Sequence, residues 1–251
     1  MERSLQATRG APEHPSLRKA LNLWKAPPGT ALDLGCGAGR DSLALLRDGW
    51  SVVALDQSSP ALDALRAQVD TGVHKLTTLC EPFESGAPLP TVELVNASFA
   101  LPFCKPEAFT SLWTRIMECL CRGGLFSGHF FGLRDSWVGR NLTCHRYEQL
   151  LELFEDWELL ELNEIEFDGK TATGQDKHWH LFEAIARRRR GRGNAAMPCD
   201  GIDFVTLQSG VRNAQSSQPR PDRVHAGIAH PVPCHPESRP GTAGGRLPCA
   251  G

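Results

Sequence analysis

No run of about 18 or more apolar residues occurs in the 251-residue chain, so no membrane-spanning helix is expected. The segment Met1 to Gly10 alternates charged, polar and small residues and lacks the apolar stretch of a secretory signal. The nine cysteines are odd in number, and with no export signal they predict reduced thiols over a disulfide framework. Cys119 and Cys121 lack a second pair at finger-like spacing, so no structural metal is assigned. Nor is there an excess of charge: the net is -2, with residues 187–251 holding ten Arg against four acids, a net of +6, and residues 1–186 carrying -8. An acidic folded part argues against a nucleic-acid partner, which needs phosphate neutralisation. These absences predict a cytoplasmic protein with no membrane or nucleic-acid partner; the oligomeric state is left unassigned.

What is present is 41% hydrophobic sequence, enough for one full-sized core. Leu17, Ala20, Leu21 and Trp24 recur at spacings of three and four and predict an amphipathic helix from Pro15, ended by Pro27-Pro28-Gly29. A strand over Thr30 to Leu34, a Gly-rich turn, a helix over Asp41 to Asp48 and a strand over Trp50 to Leu55 form the pattern of a parallel βαβ unit. The alternation continues with a helix over Pro60 to Val69, strands over His74 to Leu79 and Val92 to Asn96, and a helix over Pro106 to Cys121. Arg122-Gly123-Gly124 then turns into a strand over Leu125 to Phe131, followed by a helix over Arg146 to Phe154. Trp157 to Phe167 and His178 to Ala186 are two strands with no helix between them, so they pair antiparallel. Beyond Arg187, eight of the 18 prolines and no sustained periodicity predict a disordered Arg/Pro/Gly-rich tail over 187–251, with Ile202 to Leu207 its one candidate element.

The turn Asp33-Leu34-Gly35-Cys36-Gly37-Ala38-Gly39-Arg40 carries the chemistry. Its glycines let the backbone pass close to a ligand at the carboxyl ends of parallel strands. A dinucleotide fingerprint would need glycine at position 40, where Arg40 stands. Asp33 suits a cationic ligand and would repel a pyrophosphate. Asp56, ending the second strand 17 residues after Gly39, is placed to accept ribose hydroxyls or to cap the next helix.

Leu32 to Arg40 with Val53-Ala54-Leu55-Asp56 resemble motifs I and II of class I S-adenosylmethionine-dependent methyltransferases. Residues 12–186 resemble the small bacterial TehB-like methyltransferases of the tellurite-resistance type. Three blocks carry that likeness: Asn96 to Cys104, Phe131 to Trp137 and Lys177 to His180. The resemblance implies an α/β, Rossmann-like fold: a seven-stranded, mostly parallel sheet with a final antiparallel strand and helices on both faces. The methyltransferase domain would cover 1–186. S-adenosyl-L-methionine would be the cofactor, held by Asp33, Gly35, Cys36, Gly37, Gly39, Arg40, Asp56, Gln57, Phe83 and Asn96. The chain departs from the family after the third strand, where Cys80-Glu81-Pro82-Phe83-Glu84 replaces the acid often found near adenine, and at Glu93, where Asp is common.

On the acceptor side, strand directions bring Asn96, Arg134, Asp135, His178 and His180 to the cofactor rim. His178 and His180 share a strand face, with Lys177 and Trp179 on the other. The pair reads as a general base, as a substrate-orienting or structural hydrogen-bonded pair, or as metal ligands with Glu164 or Glu166. Arg134 suits an oxyanion or carboxylate, or a local ion pair. Phe99, Phe103, Phe131 and Trp137 are candidate pocket walls or core. Cys36 has no adjacent base in sequence and reads as a small buried turn residue. The expected activity is methyl transfer to a small molecule, whether thiol, chalcogen oxyanion, carboxylate or amine; the alternative is a protein that binds the cofactor without catalysis. Positioning alone suffices when the acceptor is a good nucleophile.

Overall fold

The computed structural model describes residues 10–70 and 75–189. The chain divides into two compact units, 1–208 and 209–251, and the second lies outside the described residues, as do the expected tail from 190 onward and the candidate element Ile202 to Leu207.

Helix α1 (Pro15–Leu23) starts on a proline whose missing N–H costs nothing in a first turn. There follow β1 (Thr30–Leu34), α2 (Arg40–Arg47), β2 (Ser51–Asp56), α3 (Ser59–Arg66), β3 (Leu76–Cys80), β4 (Val92–Ala97), α4 (Pro106–Cys119) and β5 (Leu120–Gly132). The two-residue β6 (Cys144–His145), α5 (Tyr147–Leu153) and the long hairpin β7 (Trp157–Lys170) with β8 (Asp176–Arg188) complete the domain. The sheet order is β3-β2-β1-β4-β5-β8-β7, with β6 paired to the end of β5. Strand β8 is antiparallel to both β5 and β7, while β1 to β5 pair parallel. This is the expected mostly parallel α/β sheet, widened to eight strands by β6.

Alternation along the strands feeds two cores. Leu32, Leu34, Val53, Leu55 and Val95 face α4 and α5, where Leu112, Trp113, Leu150 and Phe154 are buried. Ala31, Val52, Ala54 and Leu94 face α1 to α3 through Leu17, Leu45, Leu62 and Leu65. Successive strand side chains point to opposite faces, so short apolar strands support helices on both sides. Trp113 meets Phe126 and Phe154 edge to face, at 5.2 and 5.3 Å between ring centroids.

Several element boundaries move, two of them at the sheet's centre. Strand β5 begins at Leu120, not Leu125, because Gly123 at φ +84° turns inside the strand and the pairing with β4 skips from Leu120 to Leu125. Strand β8 runs past residue 186: Arg187 pairs with Leu125 and Arg188 with Trp157, so a domain boundary at 186 falls within the strand. The thiols of Cys36, Cys80, Cys104, Cys119 and Cys144 are free as expected, whereas Cys121 is disulfide-bonded.

Candidate cofactor and acceptor site

The loop between β1 and α2 is clasped to the end of β2. Gly35 N and Cys36 N both donate to Leu55 O, at 2.8 and 3.1 Å, and Gly37 N donates to Asp56 Oδ2 at 2.9 Å. The other Asp56 oxygen accepts from Ser58 N at 2.8 Å. Each carboxylate oxygen keeps a second lone pair, so the partly exposed Asp56 ties the loop and retains capacity for a ligand hydroxyl. The capping alternative for Asp56 is met by a neighbour, since Ser58 Oγ accepts from Ala61 N at the start of α3.

Two glycines of this loop do opposite work. At Gly37, φ +54°, a Cβ would meet nothing within 4 Å, so the backbone there faces open space. At Gly39, φ +89°, a Cβ would lie 2.2 Å from Leu65 Cδ1. Gly39→Ala is therefore expected to destabilise the fold by about 2–4 kcal/mol, combining left-handed strain with overpacking. Gly37→Ala should cost only about 1 kcal/mol of stability while placing a methyl in the space shared by the two cavities described below. Urea unfolding and cofactor calorimetry on both variants check this, the two effects falling on opposite members of the pair.

Asp33 is buried behind the loop. Its Oδ2 accepts from Ser42 Oγ at 2.5 Å and its Oδ1 from Asn96 Nδ2 at 2.8 Å. The same amide donates to Asp41 Oδ2 at 2.9 Å, so Asn96 spends both N–H groups on two carboxylates. Burial, and then repulsion from Asp41, push the Asp33 carboxyl up to about 7. Asp41 Oδ1 accepts the backbone N–H of His14, which brings the segment ahead of α1 over the loop. Arg40 donates to Pro12 O, and its Nη1 lies 3.0 and 3.4 Å from the two ring nitrogens of His14.

Two cavities open here. One, of about 690 Å³, is lined by Gly35, Gly37, Asp56, Gln57, Phe83 and Phe99 among others. The second, of about 550 Å³, holds Asp33, Cys36, Arg40, His14, Trp137 and Trp179. Gly35, Gly37, Phe99 and Phe103 border both, so the cavities meet along the glycine loop. Both volumes lie in the small-molecule range. Phe99 stands at the junction with φ +52°, a left-handed conformation costing a non-glycine residue roughly 1–2 kcal/mol. His129 holds it: the imidazole stacks on Phe99 at 4.2 Å and Nδ1 accepts from Phe99 N at 3.4 Å. Burial, with His14 adding to it, depresses His129 to about 3, so the ring is neutral.

Of the residues expected on the cofactor side, Asp33, Gly35, Cys36, Gly37, Arg40, Asp56, Gln57 and Phe83 line one cavity or both. Gly39 packs on Leu65, and Asn96, fully buried, braces Asp33 and Asp41. Burial pushes the Cys36 thiol well above its ordinary range, with Asp33 and Asp56 adding to it, in keeping with an inert turn residue.

The five acceptor-side candidates do not line either cavity. Arg134 is exposed and held by Glu166 and Glu164, at 2.6 and 2.7 Å. Asp135 is buried on Lys177 and accepts from Trp137 N and His180 N. His180 accepts from Arg134 N at Nδ1 and donates to Glu164 from Nε2. His178 sits between Asp168 and Glu166, and these contacts raise its pKa. The parity expected for the strand is right, since the two histidines share a face; the face turned to the second cavity is the other one, carrying Trp179. Among the described residues no group of three or more His, Cys, Asp or Glu is arranged to hold a metal ion, and no helix is long and apolar enough to cross a membrane.

His14 and the hairpin tip Lys170 to Thr173, which also line the second cavity, gave no signal in the sequence. His14 reads there as the residue before a helix, and its bond to Asp41 spans 27 positions.

Residues 31–124 match the sequence model of a family described as "Methyltransferase domain". An uncharacterized methyltransferase of Synechocystis is 32% identical over 108 residues, 42% of this chain; the chain thus spans about half, 49%, of that relative. Among solved structures, TehB from Haemophilus influenzae is similar with a TM-score of 0.63 and 20% identity over 70% of this chain and 63% of that one. A 1,6-didemethyltoxoflavin-N1-methyltransferase from Burkholderia thailandensis, with S-adenosylhomocysteine bound, is similar with a TM-score of 0.53 and 20% identity over 71% and 80%. The family match over residues 31–124 and the sheet topology agree in likening this chain to class I methyltransferases, with a fold similar to that of TehB.

Proposed function

We propose that the chain transfers the methyl group of S-adenosylmethionine to a small molecule seated in the aromatic cavity. The observation that carries this reading is the meeting of two small-molecule-sized cavities along the glycine loop, one reaching Asp56 and the other Asp33. The ribose end would lie on Asp56 and Gln57, with Phe83 against the base. The sulfonium and amino-acid end would lie near Asp33, whose carboxylate complements a cation. A sulfonium is an activated methyl donor, so these residues need only bind, orient and exclude water. The domain is proposed to end at about residue 189, after the last strand.

Asp56→Ala is expected to weaken S-adenosylmethionine binding by about 1.5–3 kcal/mol, the range for hydrogen bonds to a charged group, roughly a 10- to 150-fold rise in Kd. Calorimetry on the wild type and the variant tests the reading. No heat with the wild-type protein would remove the cofactor assignment; equal affinity for both would move the ribose site away from Asp56.

A further inference from the structure

Phe99 is bent against its own preference. Its φ of +52° is one that glycine adopts freely and phenylalanine does not. Such a conformation persists only where the surroundings over-determine it, and it recurs where a ligand is clamped. Three rings from distant parts of the chain surround the Phe99 ring: His129 of β5 stacked at 4.2 Å, His14 at 5.0 Å and Trp179 of β8 edge-on at 5.9 Å. Of the three, His129 also holds the backbone, its Nδ1 accepting the Phe99 N–H.

The strain sits where it sets the shape of the site. Phe99 lines both cavities, and Ala100 beside it lies so near the glycine loop that a Cβ added to Gly35 would be 2.7 Å from Ala100 Cβ. The bend at residue 99 therefore fixes how the end of β4 abuts the loop, and a relaxed φ there would reshape the passage between the cavities. His129 is itself anchored. It is buried on β5 opposite Glu183 of β8. With Nδ1 accepting, its proton lies on Nε2, 3.8 Å from one Glu183 oxygen, while Lys19 of α1 holds the other at 2.6 Å.

Building on the proposed methyl transfer, we infer that His129 is a positioning residue: it holds Phe99 in the strained backbone that joins the two cavities, and so preorganises the cofactor site. His129 lines neither cavity, so its effect passes through Phe99. Without the imidazole acceptor, Phe99 relaxes out of the left-handed region. The binding-competent shape then becomes a minor population that the cofactor must restore, and the apparent affinity falls by that fraction.

The test is a double-mutant cycle read by calorimetry with S-adenosylmethionine. His129→Leu is expected to raise the Kd about tenfold, the size of one left-handed residue's strain. His129→Asn, whose side-chain oxygen takes the place of Nδ1 as acceptor, should stay within about threefold of wild type. His129→Phe keeps a stacked ring and offers no acceptor, so it should weaken binding as Leu does. Glycine needs no latch, so in a Phe99→Gly background His129→Leu should change the Kd by less than about twofold. In Phe99→Ala, where the strain remains, the loss of about tenfold should persist. A merely structural role would make each His129 variant lose affinity in proportion to its stability in urea, Asn included, and equally in both Phe99 backgrounds. That pattern overturns the inference, as does an unchanged Kd in His129→Leu while the wild type binds. No binding by the wild type overturns the methyl-transfer reading, and this inference with it. Should His129→Leu not fold, His129→Phe against His129→Asn makes the same comparison.

Discussion

Lys177→Met is expected to lower the unfolding free energy by about 3–5 kcal/mol, because it leaves the Asp135 carboxylate buried without its partner. Both side chains are fully buried, and the ammonium is ringed by Trp179, Trp137 and Phe131 at 4.2, 4.6 and 4.8 Å from the ring centroids. Asp135 also accepts the backbone N–H groups of Trp137 and His180. One ion pair thus joins the segment after β5 to the start of β8 and fixes three rings that line the second cavity. Removing both charges in Lys177→Met/Asp135→Asn should restore at least half of the loss, since an amide oxygen still accepts from the backbone and no charge is stranded. Urea unfolding measures the stability, and near-ultraviolet circular dichroism reports the tryptophans. A single variant within about 1 kcal/mol of wild type would show that the pair is not sealed from water.

Asp33 should give the protein two opposite pH responses. Its folded pKa is raised to about 7 from an ordinary 3.8, so the folded state holds a proton that the unfolded chain releases. That contribution to stability is complete below the unfolded pKa and is lost as pH rises through about 7, at up to about 1.4 kcal/mol per pH unit. The ligand-free protein should therefore carry a stability decline across pH 4–7 that Asp33→Asn removes. Cofactor binding should run the other way. A cation beside Asp33 favours its ionised form, so the Kd for S-adenosylmethionine should fall by up to about tenfold per pH unit as pH rises toward 7, then level off. A flat binding profile, or an unchanged slope in Asp33→Asn, would assign the titration to another group. The difference between variant and wild type matters here, because His129, depressed to about 3, and His145, depressed to about 4, contribute stability that is lost as pH falls below 6.5.

The local features were legible from residues 12–186 alone. Short apolar strands, the Asp33 to Arg40 turn and the acid ending the second strand are all short-range patterns, and each has a short-range physical cause. Gly37 must face open space and Gly39 must approach Leu65, so the loop's glycines are written into the chain by geometry within one βαβ unit. The antiparallel hairpin followed likewise from two strands joined by a turn, and so did the rule that His178 and His180 share a face.

Which face meets the cavity was a different matter. A period-two pattern says which residues lie together but not on which side of the sheet the ligand sits, and here both sides carried polar groups. The answer came from β8 crossing to lie between β5 and β7, which turned Trp179 toward the glycine loop and left His178 and His180 on the carboxylates of β7. Asn96 and Asp135 meet the same limit: polar residues at strand ends can serve a ligand or hold the frame, and their bonds to partners 42 to 63 positions away are not visible in the sequence. The sequence alone determined the parallel sheet and the glycine loop after its first strand, because these arise from contacts between neighbours along the chain. The tertiary structure decided the aromatic wall of the second cavity, the neutral His129 and the buried Lys177, because long-range packing sets burial and pairing, and these select among the roles one side chain can play.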